Sequence, residues 1–362
     1  MLHLLKSQSM SMENKIYRSM THIKFIVLAA MAISLFYGCR KDVRRQGSFV
    51  HEIEFSQRPW TESPRDAEGD FSFAIISDLT GGERERIFEV AVEQINRFDP
   101  SFVLSVGDLI EGGTEDTLRL RREWDDFDRR AGRLEAPFFH LGGNHDLTNP
   151  SMKRFWQGRY GPTYYFFLYN DVLFLMLDSE DYEEERMMEI YKARAKALKM
   201  IEGEIEGVYE ESEYYHMEER RTGSMSREQR VYFEEALAEH PDAKWTFVLM
   251  HKPLWKNEGS SEWKELEKKL IERDYTVING HYHSFSHEVK NDRNYIMLGT
   301  TGGAQSDQDP NSFDHISWVK MVGGRPVISH IRMDGILNEA GEIPIGGDTL
   351  SFQAYRPNPV IP

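Results

Sequence analysis

Gly143-Asn144-His145-Asp146 is the stretch on which the reading of this chain turns, because it is the centre of an ordered series. Upstream lie Asp78 and the pair Gly107-Asp108; downstream lie His251 and the run Gly280-His281-Tyr282-His283. Each of these polar sites follows a short apolar run: FSFAII before Asp78, SFVLSV before Gly107, APFFHL before the glycines, WTFVLM before His251 and YTVIN before Gly280. Short apolar runs bounded by turn residues read as buried strands. In open α/β sheets, ligand sites gather where strands end and loops begin. Donors far apart in sequence are therefore expected to converge on one sheet edge, which is how a metal centre is built.

The residue types agree with that chemistry. Carboxylates, imidazoles and an amide oxygen, with no thiolate, suit borderline ions such as zinc, manganese or iron. Two ions about 3.5–4 Å apart can share a carboxylate, generate hydroxide at neutral pH and clamp the attacking and leaving oxygens of an in-line displacement. In extended chain His281 and His283 point to one face. Glycines beside the donors let the backbone turn tightly.

The series resembles that of the calcineurin-like metallophosphoesterases, the superfamily that includes purple acid phosphatases. Its segments D-x-H, G-D, G-N-H-D/E, a lone H and G-H-x-H are met here by Asp78-Leu79-Thr80, Gly107-Asp108, Gly143 to Asp146, His251 and Gly280 to His283, over roughly Phe71 to Gly303. The resemblance implies an α/β fold, the four-layer αββα sandwich of two mixed sheets flanked by helices. It implies two metal ions, Asp78 and His283 on the first, Asn144, His251 and His281 on the second, and Asp108 bridging. His145 would protonate the leaving oxygen or steady the phosphoryl charge, with Asp146 orienting it. The chain departs from the pattern at Thr80, where the family has histidine, so the first ion loses a nitrogen ligand that water or Thr80 would replace. Thr80 and Arg84, in a glycine-lined rim, are candidate substrate contacts, with Arg86, Tyr164, Tyr282 and Trp255 nearby.

Taken singly, each residue has an ordinary reading. Asp78 suits a helix N-cap, because a helical pattern begins near Glu83. Gly107-Asp108, Asn144 and Asp146 suit turns. His251 precedes Lys252-Pro253 and could close a strand; His281 and His283 could be strand histidines. Turn chemistry does not call for histidine at three of these places, so the ensemble favours a metal site. His140, His287 and His315 read as structural residues, with His315 the one placed to line a pocket.

The element pattern is a βαβαβ start, with helices at Arg84–Phe98 and Thr117–Gly132. A hairpin turning at Asn170-Asp171 follows. Then come a helix at Met225–Ala238, a strand at Trp245–Met250, a helix at Trp263–Glu272, and strands at Tyr295–Leu298, Ile316–Met321 and Pro326–Met333. Residues 70–334 form the expected catalytic domain, with a helical insertion at 181–224. Apolar residues at three-or-four spacing from Met187 to Val208 predict one long amphipathic helix there. It either lies across the core, the preferred reading, or caps the site or binds a partner.

The N-terminal part carries the localisation argument. The apolar run Phe25 to Tyr37 follows Lys24, is short for a bilayer span and has secretory-signal form. Cys39, the chain's only cysteine, directly follows Gly38 and resembles a bacterial lipoprotein site. Residues 1–38 then form a lipoprotein-type signal, 39–69 a tether with an edge strand at His51–Phe55, and 335–362 a tail with a strand at Thr349–Ala354. A plain cleaved signal or an uncleaved anchor are the alternatives. The expectation is an exported lipoprotein, anchored on the periplasmic or cell-surface side. Net charge is −16, which argues against nucleic acid as a partner. A small phosphoester is the expected substrate, and metal-dependent hydrolysis the expected activity. The alternative is a tethered protein that holds an anion or glycan on the same fold without turnover.

Overall fold

The computed structural model describes residues 44–333 except 47, 66 and 68. The signal run, Cys39 and the tail 335–362 lie outside the described residues. Among those described, no helix is long and apolar enough to cross a membrane.

The strands are β1 (Arg44–Gln46), β2 (Phe49–His51), β3 (Phe71–Ile76), β4 (Phe102–Ser105), β5 (Phe138–Phe139), β6 (Tyr165–Tyr169), β7 (Val172–Met176), β8 (Trp245–Met250), β9 (Tyr275–Asn279), β10 (Ser286–Lys290), β11 (Arg293–Met297), β12 (His315–Val322) and β13 (Arg325–Arg332). They build an eight-stranded sheet, ordered β1-β2-β6-β7-β8-β9-β11-β10, and a five-stranded sheet, ordered β13-β12-β3-β4-β5. Both are mixed. β7, β8, β9 and β11 run parallel with antiparallel neighbours outside them. In the smaller sheet β3, β4 and β5 run parallel, and β12 and β13 antiparallel.

The period-two alternation of each strand sorts its side chains between two cores. From β3, Phe73 and Ile75 face the other sheet while Ala74 and Ile76 face helices. Between the sheets lies an aromatic layer: Phe73 stacks on Phe102 at 5.2 Å, and Phe174 on Phe167 at 4.6 Å. Each such ring contributes roughly 1.5–3 kcal/mol by leaving water. Outside the smaller sheet pack α1 (Ile87–Phe98), α2 (Thr117–Ala131) and α3 (Pro150–Tyr160) through Phe88, Ile95, Trp124 and Trp156. Outside the larger sheet pack two later helices, Arg227–Glu239 and Ser261–Leu270, through Phe233 and Trp263. The layers are thus helix, sheet, sheet, helix, as the sequence pattern led one to expect.

Several boundaries move. α1 begins at Ile87, not Arg84: Arg86 is left-handed at φ 70°, and the preceding residues form a loop. Asp78 therefore caps no helix. The hairpin between β6 and β7 turns at Asn170 and Asp171, both with positive φ (46° and 63°). A second hairpin, turning at Asn291-Asp292, adds β10, an edge strand absent from the sequence reading; three of its five residues are exposed, so no burial pattern marks it. The expected edge strand at His51–Phe55 lies earlier, at Phe49–His51, pairing with β6. Phe49, Val50 and Trp60 are buried, so the segment read as a tether contributes to the core from Phe49 on.

Between β7 and the helix Arg227–Glu239 lie α4 (Glu184–Ile201), α5 (Glu213–His216) and α6 (Glu219–Thr222); the helices Arg227–Glu239 and Ser261–Leu270 are then α7 and α8. The single helix expected to Val208 stops at Ile201, where Gly203 takes a left-handed φ of 72°.

Candidate metal centre

Each motif stands just past the C-terminal end of a parallel strand: Asp78 after β3, Asp108 after β4, Gly143 to Asp146 after β5, His251 after β8, and His281 and His283 after β9. Main-chain bonds clamp these loops together. Asp78 N donates to Gly107 O at 3.1 Å, and Gly280 N to His251 O at 3.1 Å. The two sheets meet at this edge through His251, whose Nδ1 lies 2.8 Å from Val106 O.

Asp78, Asp108, His281 and His283 all have positive φ, at 48°, 57°, 84° and 53°. A left-handed non-glycine residue costs about 1–2 kcal/mol, and such strain concentrates at functional sites. Two glycines are required by close approach. A Cβ on Gly143 would lie 2.3 Å from Asp108 Oδ1, and one on Gly280 2.4 Å from Asp78 Oδ2.

The donors converge. Asp78, Asp108 and His283 are buried and offer ligand atoms all within 4.8 Å of one another. His283 Nε2 is 3.4 Å from Asp78 Oδ1, and its Nδ1 is 2.7 Å from Ala304 O. Beside this trio, His251 Nε2 lies 3.1 Å from Asp108 Oδ2 and 3.0 Å from Asn144 Oδ1. The His281 ring is 5.1 Å from that of His251. Its Nε2 is held at 2.7 Å by Arg220 O, while its buried Nδ1 has no partner. A buried imidazole nitrogen without a partner, next to His251 and Asp108, suits a cation ligand. The donor set fits borderline metal ions.

The electrostatics follow from burial and close pairing. Burial pushes the Asp108 carboxyl up, but His251 and His145 outweigh it and hold it well below the usual carboxylate range. Burial lowers His251, yet Asp108 more than compensates and brings it up to about 9. Burial, with Lys252 and His251 beside it, keeps His281 well below its ordinary value. Burial also lowers His145, with Asp108 pulling up and Arg194 down.

Asp146 does not touch the trio. It accepts from the amides of Gly143 at 2.8 Å, Leu109 at 3.0 Å and Ile110 at 3.1 Å, and so ties the Asp108 loop to the Gly143 loop. Burial and Asp108 push it up to about 8 against those amides. His145 donates its main-chain N–H to Asp108 Oδ1 at 2.8 Å; its Nδ1 lies 2.9 Å from Glu111 O, which leaves Nε2 facing inward.

Other expected contacts are used elsewhere. The Thr80 hydroxyl donates to Ile110 O at 2.7 Å and approaches Asp108 O at 3.2 Å, so it braces backbone instead of replacing the absent imidazole. Arg84, read as a substrate contact, is instead 6% exposed, paired with Asp314 and bonded to Gly303 O at 2.9 Å. It pins the Gly302-Gly303 loop. Arg86 is exposed. Tyr282 Oη donates to Arg221 O at 3.1 Å, Trp255 Nε1 to Asn279 Oδ1 at 3.1 Å, and Tyr164 packs on Tyr232. His140 stacks on Tyr160, and His287 bonds Asn294 on an edge hairpin. His315 is buried among Phe285, Phe313 and His330.

Two features were missed. The insertion reaches the site: Arg220 O holds His281, and Arg194 Nη2 lies 2.9 Å from His145 Nε2. This matches the cap reading, which was not the preferred one. Arg194 falls in step with Met187, Ile190 and Ala197, so a lone cation on an apolar stripe was the available signal. The other is a buried ion pair, Lys252 Nζ to Glu180 at 2.9 Å, with Lys252 also donating to Glu219 O at 2.8 Å. It fastens α6 beside the centre.

The calcineurin-like phosphoesterase family profile matches residues 71–285, more than half of the chain. The chain belongs to the calcineurin-like phosphoesterases. This phosphoesterase is therefore a hydrolase acting on phosphoester bonds, of a metal-dependent family. Its fold is similar to that of a dimetal phosphatase from Danio rerio, at 13% identity and a TM-score of 0.50, covering 72% of this chain and 96% of the other. GAP50, described as the anchor in the inner membrane complex of Plasmodium, aligns at 14% identity, 76% and 87% coverage and a TM-score of 0.45. A purple acid phosphatase from yellow lupin aligns at 11% identity, 75% and 53% coverage and a TM-score of 0.42. No curated protein sequence matches the phosphoesterase.

Proposed function

We propose that the chain hydrolyses a small phosphoester at a centre of two divalent or trivalent ions (iron, manganese or zinc) sharing Asp108. The observation that carries this reading is the buried trio Asp78, Asp108 and His283, with His251 against Asp108 and Asn144 and His281 next to His251. When bound, the ions supply an activated nucleophile and offset phosphoryl charge. The chain's own groups prepare their places. Bonds from Nδ1 to Val106 O and Ala304 O turn Nε2 of His251 and of His283 inward; the reverse bond from Nε2 to Arg220 O turns Nδ1 of His281 inward. Such outer bonds fix tautomer and ring orientation. Nε2 of His145, which accepts from Arg194 Nη2 at 2.9 Å, is the ring atom left on the inner side to approach a leaving or phosphoryl oxygen, because Nδ1 is held on Glu111 O. Thr80 adds no ligand, which makes the Asp78–His283 side the poorer of the two and the one expected to fill last.

The test uses the full chain, loaded with manganese, iron or zinc, on mono- and bis-nitrophenyl phosphate. Hydrolysis should require metal. His145→Ala should keep its metal and turn over ~10²–10⁴-fold more slowly. Full activity in His145→Ala, or metal-independent hydrolysis, would overturn the assignment. The Phe25 to Tyr37 run before Gly38-Cys39 further supports export and a lipid anchor at Cys39, and the −16 charge supports a small substrate over nucleic acid. Cys39→Ser should then move the protein from the membrane fraction to the soluble one.

A further inference from the structure

Three arginines are buried among the described residues: Arg84, Arg130 and Arg194. Two have carboxylate partners, Arg84 with Asp314 and Arg130 with Glu83. Arg194 does not. It is 4% exposed, its Nη2 meets a neutral-type partner, His145 Nε2, at 2.9 Å, and its Nε has no partner. Tyr214, from α5, is its other side-chain neighbour. Burying a guanidinium without a counter-ion is costly, and natural proteins match such a charge with an anion.

The missing anion has one natural position. Arg194 points to the single ring nitrogen of His145 that is not held by the Glu111 carbonyl. That nitrogen faces the phosphoryl group in the reaction proposed above. The planar fork of arginine suits two oxygens of one phosphate. A terminal phosphate carries two negative charges and three free oxygens. A diester carries one charge and must also lodge a second ester arm beside α4.

We propose that Arg194, delivered by the insertion, contacts the non-bridging oxygens of the substrate phosphate and biases the enzyme toward phosphomonoesters. This rests on the hydrolase reading above.

The experiment compares the metal-loaded full chain with Arg194→Gln and Arg194→Lys. It measures KM and kcat on mono- and bis-nitrophenyl phosphate, inhibition by inorganic phosphate, phosphate binding by calorimetry, and metal content. Arg194→Gln should bind inorganic phosphate ~10–100-fold more weakly, the range for a hydrogen-bonded charge, and raise the monoester KM alike. The diester KM should change less than about threefold, since it makes less use of the fork, and metal content should stay at the wild-type level. Unchanged phosphate affinity in Arg194→Gln overturns the proposal. So does an equal loss on both esters accompanied by metal loss, which marks a structural role. Should Arg194→Gln not fold, Arg194→Lys decides: phosphate affinity reduced roughly three- to tenfold supports the fork, and wild-type affinity overturns it. A wild type that hydrolyses neither ester, yet binds phosphate more tightly than Arg194→Gln, keeps the anion site and overturns only the hydrolytic reading.

Discussion

The sheet-edge loops and the insertion both reach the same centre, but they are specified in different ways. The loops carry the candidate donors, and close packing of those donors constrains their backbone: positive φ at Asp78, Asp108, His281 and His283, and glycines where a Cβ would strike a carboxylate. The insertion contributes two main-chain carbonyls that any sequence could supply, from Arg220 and Glu219, and a single side-chain group, the guanidinium of Arg194. The first region gathers the candidate metal donors; the second braces them through Arg220 O and reaches His145 through Arg194.

The difference can be broken from the loop side first. Asp108→Ala removes the carboxylate proposed to be shared between the ions, and we expect loss of metal and a fall in activity of ~10³-fold or more, since metal charge stabilisation supplies several kcal/mol. Metal analysis and nitrophenyl ester assays check this.

The insertion side is sharpened by Lys252. Lys252→Met leaves the buried Glu180 carboxylate uncompensated and frees Glu219 O. We expect a loss of roughly 3–5 kcal/mol in urea unfolding. The double variant Lys252→Met with Glu180→Met should lose less than the single one, because no charge is left stranded. A double variant as unstable as the sum of both singles would contradict the ion-pair account.

A control lies at the entry to the Gly143 loop but outside the donor set, at His140, which stacks on Tyr160. Burial lowers His140 from its ordinary 6.5 to about 4. Between those values the unfolded chain binds a proton that the folded chain refuses, so stability falls as pH falls through that window. The contribution should reach about 2 kcal/mol between pH 7 and 5. It is measured as the difference in pH dependence of urea unfolding between wild type and His140→Phe. Identical pH dependence would show that His140 is not the group responsible.

The smallest effect is expected at the edge of the cap. Tyr282→Phe removes one hydroxyl bond to Arg221 O at 3.1 Å. A loss near 0.5–1.5 kcal/mol is expected, with catalysis nearly unchanged. A large fall in turnover would mean that Tyr282 touches substrate after all.

The same contrast explains what could be read before the structure was known. β3, β4, β8 and β9 were plain in the sequence because each is a short, mostly apolar run ending in a polar turn. The donors were legible because metal chemistry restricts their types and the resemblance to the family supplied their order. β10 was hidden because an exposed edge strand carries no burial signal. Arg84 was misplaced because proximity in sequence to Asp78 says nothing of Asp314, 230 residues away, which claims its charge. The role of Arg220 could not be read at all, since its carbonyl acts whatever the side chain is.

The most direct test of the central claim is the number of ions held per folded chain. Purified wild-type protein, loaded separately with manganese, iron and zinc and analysed by elemental mass spectrometry, should hold two ions per chain with at least one of these metals. The second should be released first on dialysis, and Asp108→Ala should hold neither. A folded wild type that retains no ion with any of the three would contradict the account.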